Sequence, residues 1–195
     1  GWQGGGALAH AKNVTMDAGA AIHADATADG GAGGTVALWS DGRASFSGTI
    51  TARGKGTGAG GAVETSGHDL AVAGTVDASS EQGKAGEWLL DPANIDIESD
   101  ANANPPTQTI SGGTTTATAG TTKLRASNIA NVLNGGTSVT LKTGGTSSFA
   151  GNITVNAPIA KTAGGDAKLS FEAAQDIVLN ADITSTRSEE RRVGK

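Results

Sequence analysis

Residues 153–159 read ITVNAPI and residues 177–183 read IVLNADI, and this pair of segments decides the fold. Alternate side chains of a strand point to opposite faces, so each segment predicts a short strand with one apolar face. A repeat of this length, built from short strands, is typical of one coil of a parallel β-helix. The matching positions keep one offset of 24 residues without a gap: Ile153 with Ile177, Val155 with Leu179, Asn156 with Asn180, Ala157 with Ala181, and Ile159 with Ile183.

Less strict repeats of the apolar pattern occur in the rest of the chain. Ile22, Ile50 and Val76 each begin a pattern of β-branched residue, any residue, alanine and polar residue, at spacings of 28 and 26. Further matches are Val36, Val63 and Trp88 at spacings of 27 and 25, and Val139 and Leu141 with Leu169 and Phe171 at 30. The sequence therefore predicts an all-β fold, a right-handed parallel β-helix with coils of about 24–28 residues.

Composition favours the same architecture. The 195 residues include 31 Gly, and aromatic residues make up only 3%, which is too little bulky side chain for an ordinary globular core. Short alternating runs of Val, Ile and Leu between Gly, Thr and Asn indicate many strands and argue against disorder. The net charge of −5 disfavours nucleic acid and anionic membranes as partners. No apolar run approaches the ~18 residues of a membrane-spanning helix, and the absence of cysteine excludes disulfides.

The pattern divides the chain into four parts. We assign residues 1–97 and 124–186 to β-helix coils. Residues 98–123 are predicted to be a loop or seam, because the Pro105-Pro106 pair does not fit a central strand. Residues 187–195 depart abruptly in composition and are interpreted as a non-native tail on an internal fragment.

One short helix is predicted near residues 127–134. Ser127 is the expected N-cap and Gly135 the expected stop, while Ile129, Val132 and Leu133 share one face.

Three sequence segments within residues 1–97, taken in order, resemble those of a known protein family. They are FSGTITARG at residues 46–54, GGAVETSG at residues 60–67 and WLLDPANIDI at residues 88–97. As a set they resemble the haemagglutinin repeats of filamentous haemagglutinin-like adhesins, the exoproteins of two-partner secretion in Gram-negative bacteria. In this chain Ala62 replaces the aromatic residue usual before Val-Glu, and the family's N-terminal secretion domain is not seen.

The resemblance implies a structural and adhesive function. Members of this family are secreted through an outer-membrane partner, remain at the cell surface, bind host or bacterial glycans or proteins, and cause haemagglutination. We therefore expect a non-enzymatic shaft segment that takes part in cell adhesion and virulence, without membrane insertion. Two alternatives stay open: an extracellular β-helix polysaccharide lyase or hydrolase, and the stalk of a contact-dependent toxin.

No candidate catalytic, cofactor-binding or metal site emerges from the sequence. The best constellation is a pair of predicted outward ladders, His23 with Thr51 and Asp77, and Asp25 with Arg53 and Ser79. Each ladder holds a single carboxylate, whereas glycoside chemistry uses a facing pair, so a solvated polar face is the preferred interpretation.

Other residues of the types found at functional sites are interpreted as structural, because they lack the spacing or the partners that such sites require. His10, His23 and His68 lack metal-ligand spacing, and residues 30–35 lack the Asp of a calcium-binding β-roll. Ser66, His68 and Asp69 lie too close in sequence to form a triad, and no cofactor is expected. Trp39 and Trp88 are expected to fill or cover the solenoid, and Asn13 and Asn152 merely match the glycosylation sequon.

The predicted register leads to three further expectations. Ile153, Val155, Ile177 and Leu179 should point inward, so Ile177→Asp should be costly whereas Thr51→Asp on the outward ladder should be tolerated. Asn156 and Asn180 should stack in adjacent coils. Residues 1–186 should associate end to end, because uncovered coils leave backbone groups unpaired.

Overall fold

The computed structural model describes residues 1–7, 9–103, 120–144 and 149–186. A short 3-10 turn, Trp2–Gly4, precedes the strands. The strands are β1 (Ala11–Met16), β2 (Ala21–His23), β3 (Thr35–Phe46), β4 (Thr49–Thr51), β5 (Ala62–Ser66), β6 (Asp69–Val72), β7 (Thr75–Asp77), β8 (Glu87–Asp91), β9 (Ile95–Glu98), β10 (Thr122–Arg125), β11 (Ser138–Lys142), β12 (Ile153–Val155), β13 (Ile159–Lys161), β14 (Leu169–Glu172), β15 (Ile177–Leu179) and β16 (Ile183–Ser185). One helix, α1 (Ala126–Asn134), completes the elements of the described residues.

The strands form a parallel β-solenoid of about six turns, which confirms the predicted fold class. The first face holds β3, β5, β8, β11 and β14 in that order. The second face contains the order β10-β9-β12-β15, and the end of β3 pairs there with β1 and β6. The third face holds β2-β4-β7 and, further along, β13-β16.

The observed register follows the sequence repeat. Ile153 pairs with Ile177 and Ile159 with Ile183, so the 24-residue coil is confirmed. Val36, Val63 and Trp88 stack in one column, as do Ile22, Ile50 and Val76. Val139 pairs with Leu169 across the predicted offset of 30.

Stacked inward side chains build a single core along the axis. Ile50, Val63, Ile95 and Ile153 are fully buried. Trp88 is 1% exposed, donates its Nε1–H to Thr65 Oγ1 at 3.0 Å, and meets the ring of Phe46 edge to face. The prediction that Trp88 fills the solenoid is therefore confirmed.

Residues of the last described coil depart from the expected burial. Ile153 and Val155 are fully buried, but Ile177 and Leu179 are 47% and 58% exposed. They stack on the predicted partners, yet no described strand lies on their other side. The expectation that a charge at Ile177 would be deeply buried is therefore wrong, and the buried position of this column is Ile153.

Helix α1 occupies the third face between β7 and β13, where other coils place a strand. Ile129, Val132 and Leu133 are buried as predicted, and the helix ends at Gly135. The predicted N-cap is wrong, because the cap position is Arg125 and makes no side-chain cap bond. Ser127 lies inside the helix and instead donates a 2.5 Å hydrogen bond to Asp100 Oδ1.

The strand order around α1 shows where the chain rejoins the solenoid after β9. Strand β10 pairs with β9 on the side opposite β12 and contacts β6, so it lies between β6 and β9. Residues 104–119, which carry most of the predicted seam at 98–123, lie outside the described residues, as does the tail at 187–195.

Candidate functional site

The first predicted ladder forms on the third face. Pairing places His23, Thr51 and Asp77 side by side in successive coils. Thr51 Oγ1 donates to Asp25 Oδ2 at 2.9 Å and accepts from His23 Nδ1, also at 2.9 Å. These neighbours leave Thr51 only 7% exposed. The structure thus contradicts the exposure assumed for Thr51, and we now expect Thr51→Asp to be costly because the new carboxylate would be covered and would lie beside Asp25.

The second ladder is a charge pair that joins two coils. Arg53 donates to Asp25 through its side chain and its backbone N–H, both at 2.8 Å, and its Nε lies 4.0 Å from Asp77 Oδ2. The Arg53 side-chain hydrogen bond is the main cause that lowers the pKa of Asp25 to about 2. Ser79, the third residue of this ladder, donates to Asp77 Oδ1 at 2.6 Å. A carboxylate held ionised in this way fixes adjacent coils and is unsuited to act as a general acid.

Sequence reasoning missed two acidic residues on the outer side of the first face, the buried Glu64 and the partly buried Asp91. Glu64 is fully buried although it points away from the core, because the N-terminal turn covers it. Gln3 N–H donates to its Oε2 at 2.7 Å, and Ser66 donates to its Oε1 at 2.9 Å. Burial raises the pKa of Glu64 and also that of Asp91, whose Oδ2 lies 3.8 Å from Lys142 Nζ. Strand alternation alone marks both carboxylates as solvent-facing.

The three histidines make separate contacts. His10 bridges Asp41 Oδ1 at 2.8 Å and the carbonyl oxygen of Gly4 at 2.9 Å. His68 Nδ1 lies 3.7 Å from Asp69 Oδ1, but Ser66 donates to Glu64, so these three residues do not assemble as a triad. Within the described ranges, no group of three or more His, Asp or Glu side chains is arranged to hold a metal ion.

Asparagine side chains link coils on the second face. Asn180 Nδ2 donates to Asn156 Oδ1 at 2.9 Å, which confirms the predicted stack, and Asn156 Nδ2 donates to Glu98 Oε1 at 3.0 Å. The sequon residues Asn13 and Asn152 also accept backbone N–H groups from the next coil. These amides complete ladders between coils, which is a structural role.

The glycine-rich corner at residues 30–35 contains glycines at positions that do not suit a side chain. A Cβ at Gly33 would lie 1.9 Å from the carbonyl oxygen of Ala52 in the next coil. Gly30 adopts a φ of +75°, which L-residues with a side chain rarely adopt. The interpretation of this stretch as a solenoid corner is therefore confirmed.

Comparison with known proteins adds no family assignment. No protein-family model matches the chain, and no curated protein matches it. Among the described residues, no helix combines the length and apolarity needed to cross a membrane.

Proposed function

We propose that this chain is a shaft segment of a large secreted surface exoprotein that mediates cell adhesion or haemagglutination. The observation that carries the proposal is the continuous parallel ladder through successive coils. With a spacing of ~4.8 Å per coil, about six turns extend the chain by roughly 30 Å. Each added coil lengthens such a rod without changing its cross-section, which suits a protein that projects a binding activity from a surface.

The sequence phrases supply the adhesive and secretory part of the proposal. The segments at residues 46–54, 60–67 and 88–97 resemble haemagglutinin repeats. They form neighbouring coils, since β5 pairs with both β3 and β8. On this proposal an outer-membrane partner secretes the protein, which stays at the surface of a Gram-negative cell and binds glycans or proteins on other cells.

The proposal includes no catalytic activity. Asp25 and Asp77 are the carboxylates of the outward ladders, and Arg53 lies beside both of them. This arrangement supports a coil-joining role over glycoside hydrolysis, which uses a free pair of carboxyl groups. Incubation with pectin, alginate and glycosaminoglycans, followed at 235 nm for unsaturated products, tests the point. Turnover that survives repurification of the chain would establish the enzymatic alternative.

Adhesion is tested with beads that carry the purified chain. Coated fluorescent beads should bind erythrocytes, epithelial cells or Gram-negative bacteria, and binding should saturate. The matched control is an Ile153→Asp chain, which should not fold because it buries an unpaired charge. If folded and unfolded coatings bind equally, or neither binds any of these cells, the adhesive function is wrong.

A further inference from the structure

The N-terminal turn, Trp2–Gly4, lies across the outer side of the first face. Gln3 N–H donates to Glu64 Oε2 on β5 at 2.7 Å. The side chain of Gln3 reaches further, because its Oε1 accepts from Lys142 Nζ on β11 at 3.0 Å. Strand β8 lies between β5 and β11 in the sheet, so the turn spans three neighbouring coils through Gln3 alone.

A fourth coil is contacted through Gly4, which packs against the indole ring of Trp39 on β3. A Cβ at Gly4 would lie 2.8 Å from this ring, and Gly4 has a φ of +69°, which residues with a side chain rarely adopt. The carbonyl oxygen of Gly4 accepts from His10 Nε2 at 2.9 Å, and the His10 ring meets the Trp39 ring edge to face. The contact on Trp39 therefore requires glycine.

The surface at the turn is covered although its side chains point outward. Glu64 pairs with Leu89 and Leu89 with Thr140, so the three residues form one outward column of the first face. Leu89 and Thr140 are 2% and 8% exposed, and Glu64 is fully buried. A buried carboxylate is rare unless it is paired, and here Gln3 and Ser66 both donate to it. The column thus offers apolar surface beside a fixed hydrogen-bond acceptor.

The turn is held in the way that a bound peptide is held. Among the described residues, the backbone-to-backbone hydrogen bonds of residues 1–7 stay inside the turn. The solenoid contributes side chains to the contact instead of a strand edge. Gly5, Gly6 and Ala7 follow the turn and are exposed, and a Cβ at Gly6 would meet nothing within 4 Å. The turn can therefore leave the surface without breaking a strand pairing.

We propose that the outer stripe of the first face, formed by Trp39, Glu64 and Lys142, is a docking site for a peptide turn, and that the N-terminal turn of a second copy occupies it when the turn of the same chain is withdrawn. The occupant must offer an N–H to Glu64, a carbonyl oxygen to Lys142 and a glycine to Trp39. The segment Trp2–Gly4 of a second copy carries all three groups. The inference is independent of the adhesive function, because it concerns contact between two copies of this chain.

Tethering decides which copy fills the outer stripe. A short flexible linker holds the turn of the same chain at an effective concentration on the order of millimolar. A second copy at micromolar concentration therefore loses the competition until that turn is withdrawn. Gly4→Val withdraws the turn, because the new side chain would strike the Trp39 ring at a φ that β-branched residues avoid.

Fluorescence anisotropy with a peptide of residues 1–7, GWQGGGA, labelled at its last residue, tests the site on the full chain. The Gly4→Val chain should bind this peptide saturably, and the wild-type chain should bind it at least tenfold more weakly because its own turn competes. Glu64→Leu in the Gly4→Val chain should weaken binding at least tenfold. The matched control is Glu98→Leu in the same chain, which changes an outward carboxylate of the second face and should leave the affinity unchanged. Circular dichroism checks that each variant is folded.

Mixing the two chains tests the second copy as the occupant. Labelled wild-type chain carries an intact turn, so it should bind the Gly4→Val chain more tightly than labelled Gly4→Val chain does, while end-to-end association is common to both mixtures. If the Gly4→Val chain does not fold, Gln3→Pro replaces it, since proline lacks the N–H that Glu64 accepts. Three results would overturn the proposal: no peptide binding to the chain with a withdrawn turn, equal binding of a peptide that itself carries Gly4→Val, or equal association in both mixtures.

Discussion

Truncation of two isoleucines that stack in one column should show how the middle of the solenoid differs from its last described coil. The quantity compared is the loss in free energy of unfolding that each substitution causes. Ile153 and Ile177 pair directly, but Ile153 is fully buried between Ile95 and Ile177 while Ile177 is 47% exposed. Ile→Ala removes three carbons, worth about 0.8 kcal/mol each on full burial. Ile153→Ala also leaves a cavity, so its cost should be about 3–4 kcal/mol. Ile177→Ala should cost about half the transfer free energy, roughly 1 kcal/mol.

Urea unfolding followed by far-ultraviolet circular dichroism measures both costs. The free energies of unfolding are comparable only if the two variants keep the wild-type m-value, since repeat arrays can lose two-state behaviour. Low protein concentration keeps Ile177 from being covered by a second copy. Equal losses, or a larger loss at Ile177, would refute the assigned order of coils.

Three further predictions concern the glycine-rich corner at residues 30–35, the Asp25–Arg53 charge pair and the exposed side of the last described coil. Gly33→Ala should destabilise by about 3 kcal/mol or more in thermal melts because its Cβ would strike the Ala52 carbonyl, whereas Gly19→Ala, in open space, should be neutral or slightly stabilising. Since the pKa of Asp25 is lowered from 3.8 to about 2, its contribution is present above pH 4 and lost as pH falls towards 2. This loss should be about 1 kcal/mol because Arg53 is half exposed to solvent, and Asp25→Asn should abolish that part of the pH dependence, whereas an unchanged acid profile would contradict the pairing. The sedimentation coefficient of the wild-type chain should rise with concentration, because the last described coil exposes apolar side chains and strand edges; a constant monomer value would argue against end-to-end association.

The repeating part of the fold was predictable because the information is local. Alternation of apolar residues sets the strand faces, and the 24-residue offset sets which residues stack, as with Ile153 and Ile177. Polar positions inside the same offset, such as Asn156 and Asn180, then follow without further information.

What could not be predicted depends on contacts between distant segments. Strand β10 lies between β6 and β9 although residues 99–121 separate it from β9 in sequence. Nothing in the GGAVETSG phrase shows that Gln3, 61 positions away, covers Glu64. Ser127 is of a residue type that favours the N-cap position, but its hydroxyl donates a hydrogen bond to Asp100 Oδ1 instead.

Disulfide formation between engineered cysteines tests the coil length most directly, because the natural chain has no cysteine. Asn156 and Asn180 directly follow the paired strands β12 and β15, one coil apart, and the ~4.8 Å strand spacing falls within the roughly 4.4–6.8 Å between Cα atoms that a disulfide requires. Asn156→Cys with Asn180→Cys should form an intramolecular bridge rapidly under mild oxidation, as mapped by peptide mass spectrometry. Asn156→Cys with Thr184→Cys, which would pair in a 28-residue coil, should remain reduced, since Thr184 stacks on Ala160. Bridging of the second pair and not the first would contradict the parallel solenoid register proposed for this chain.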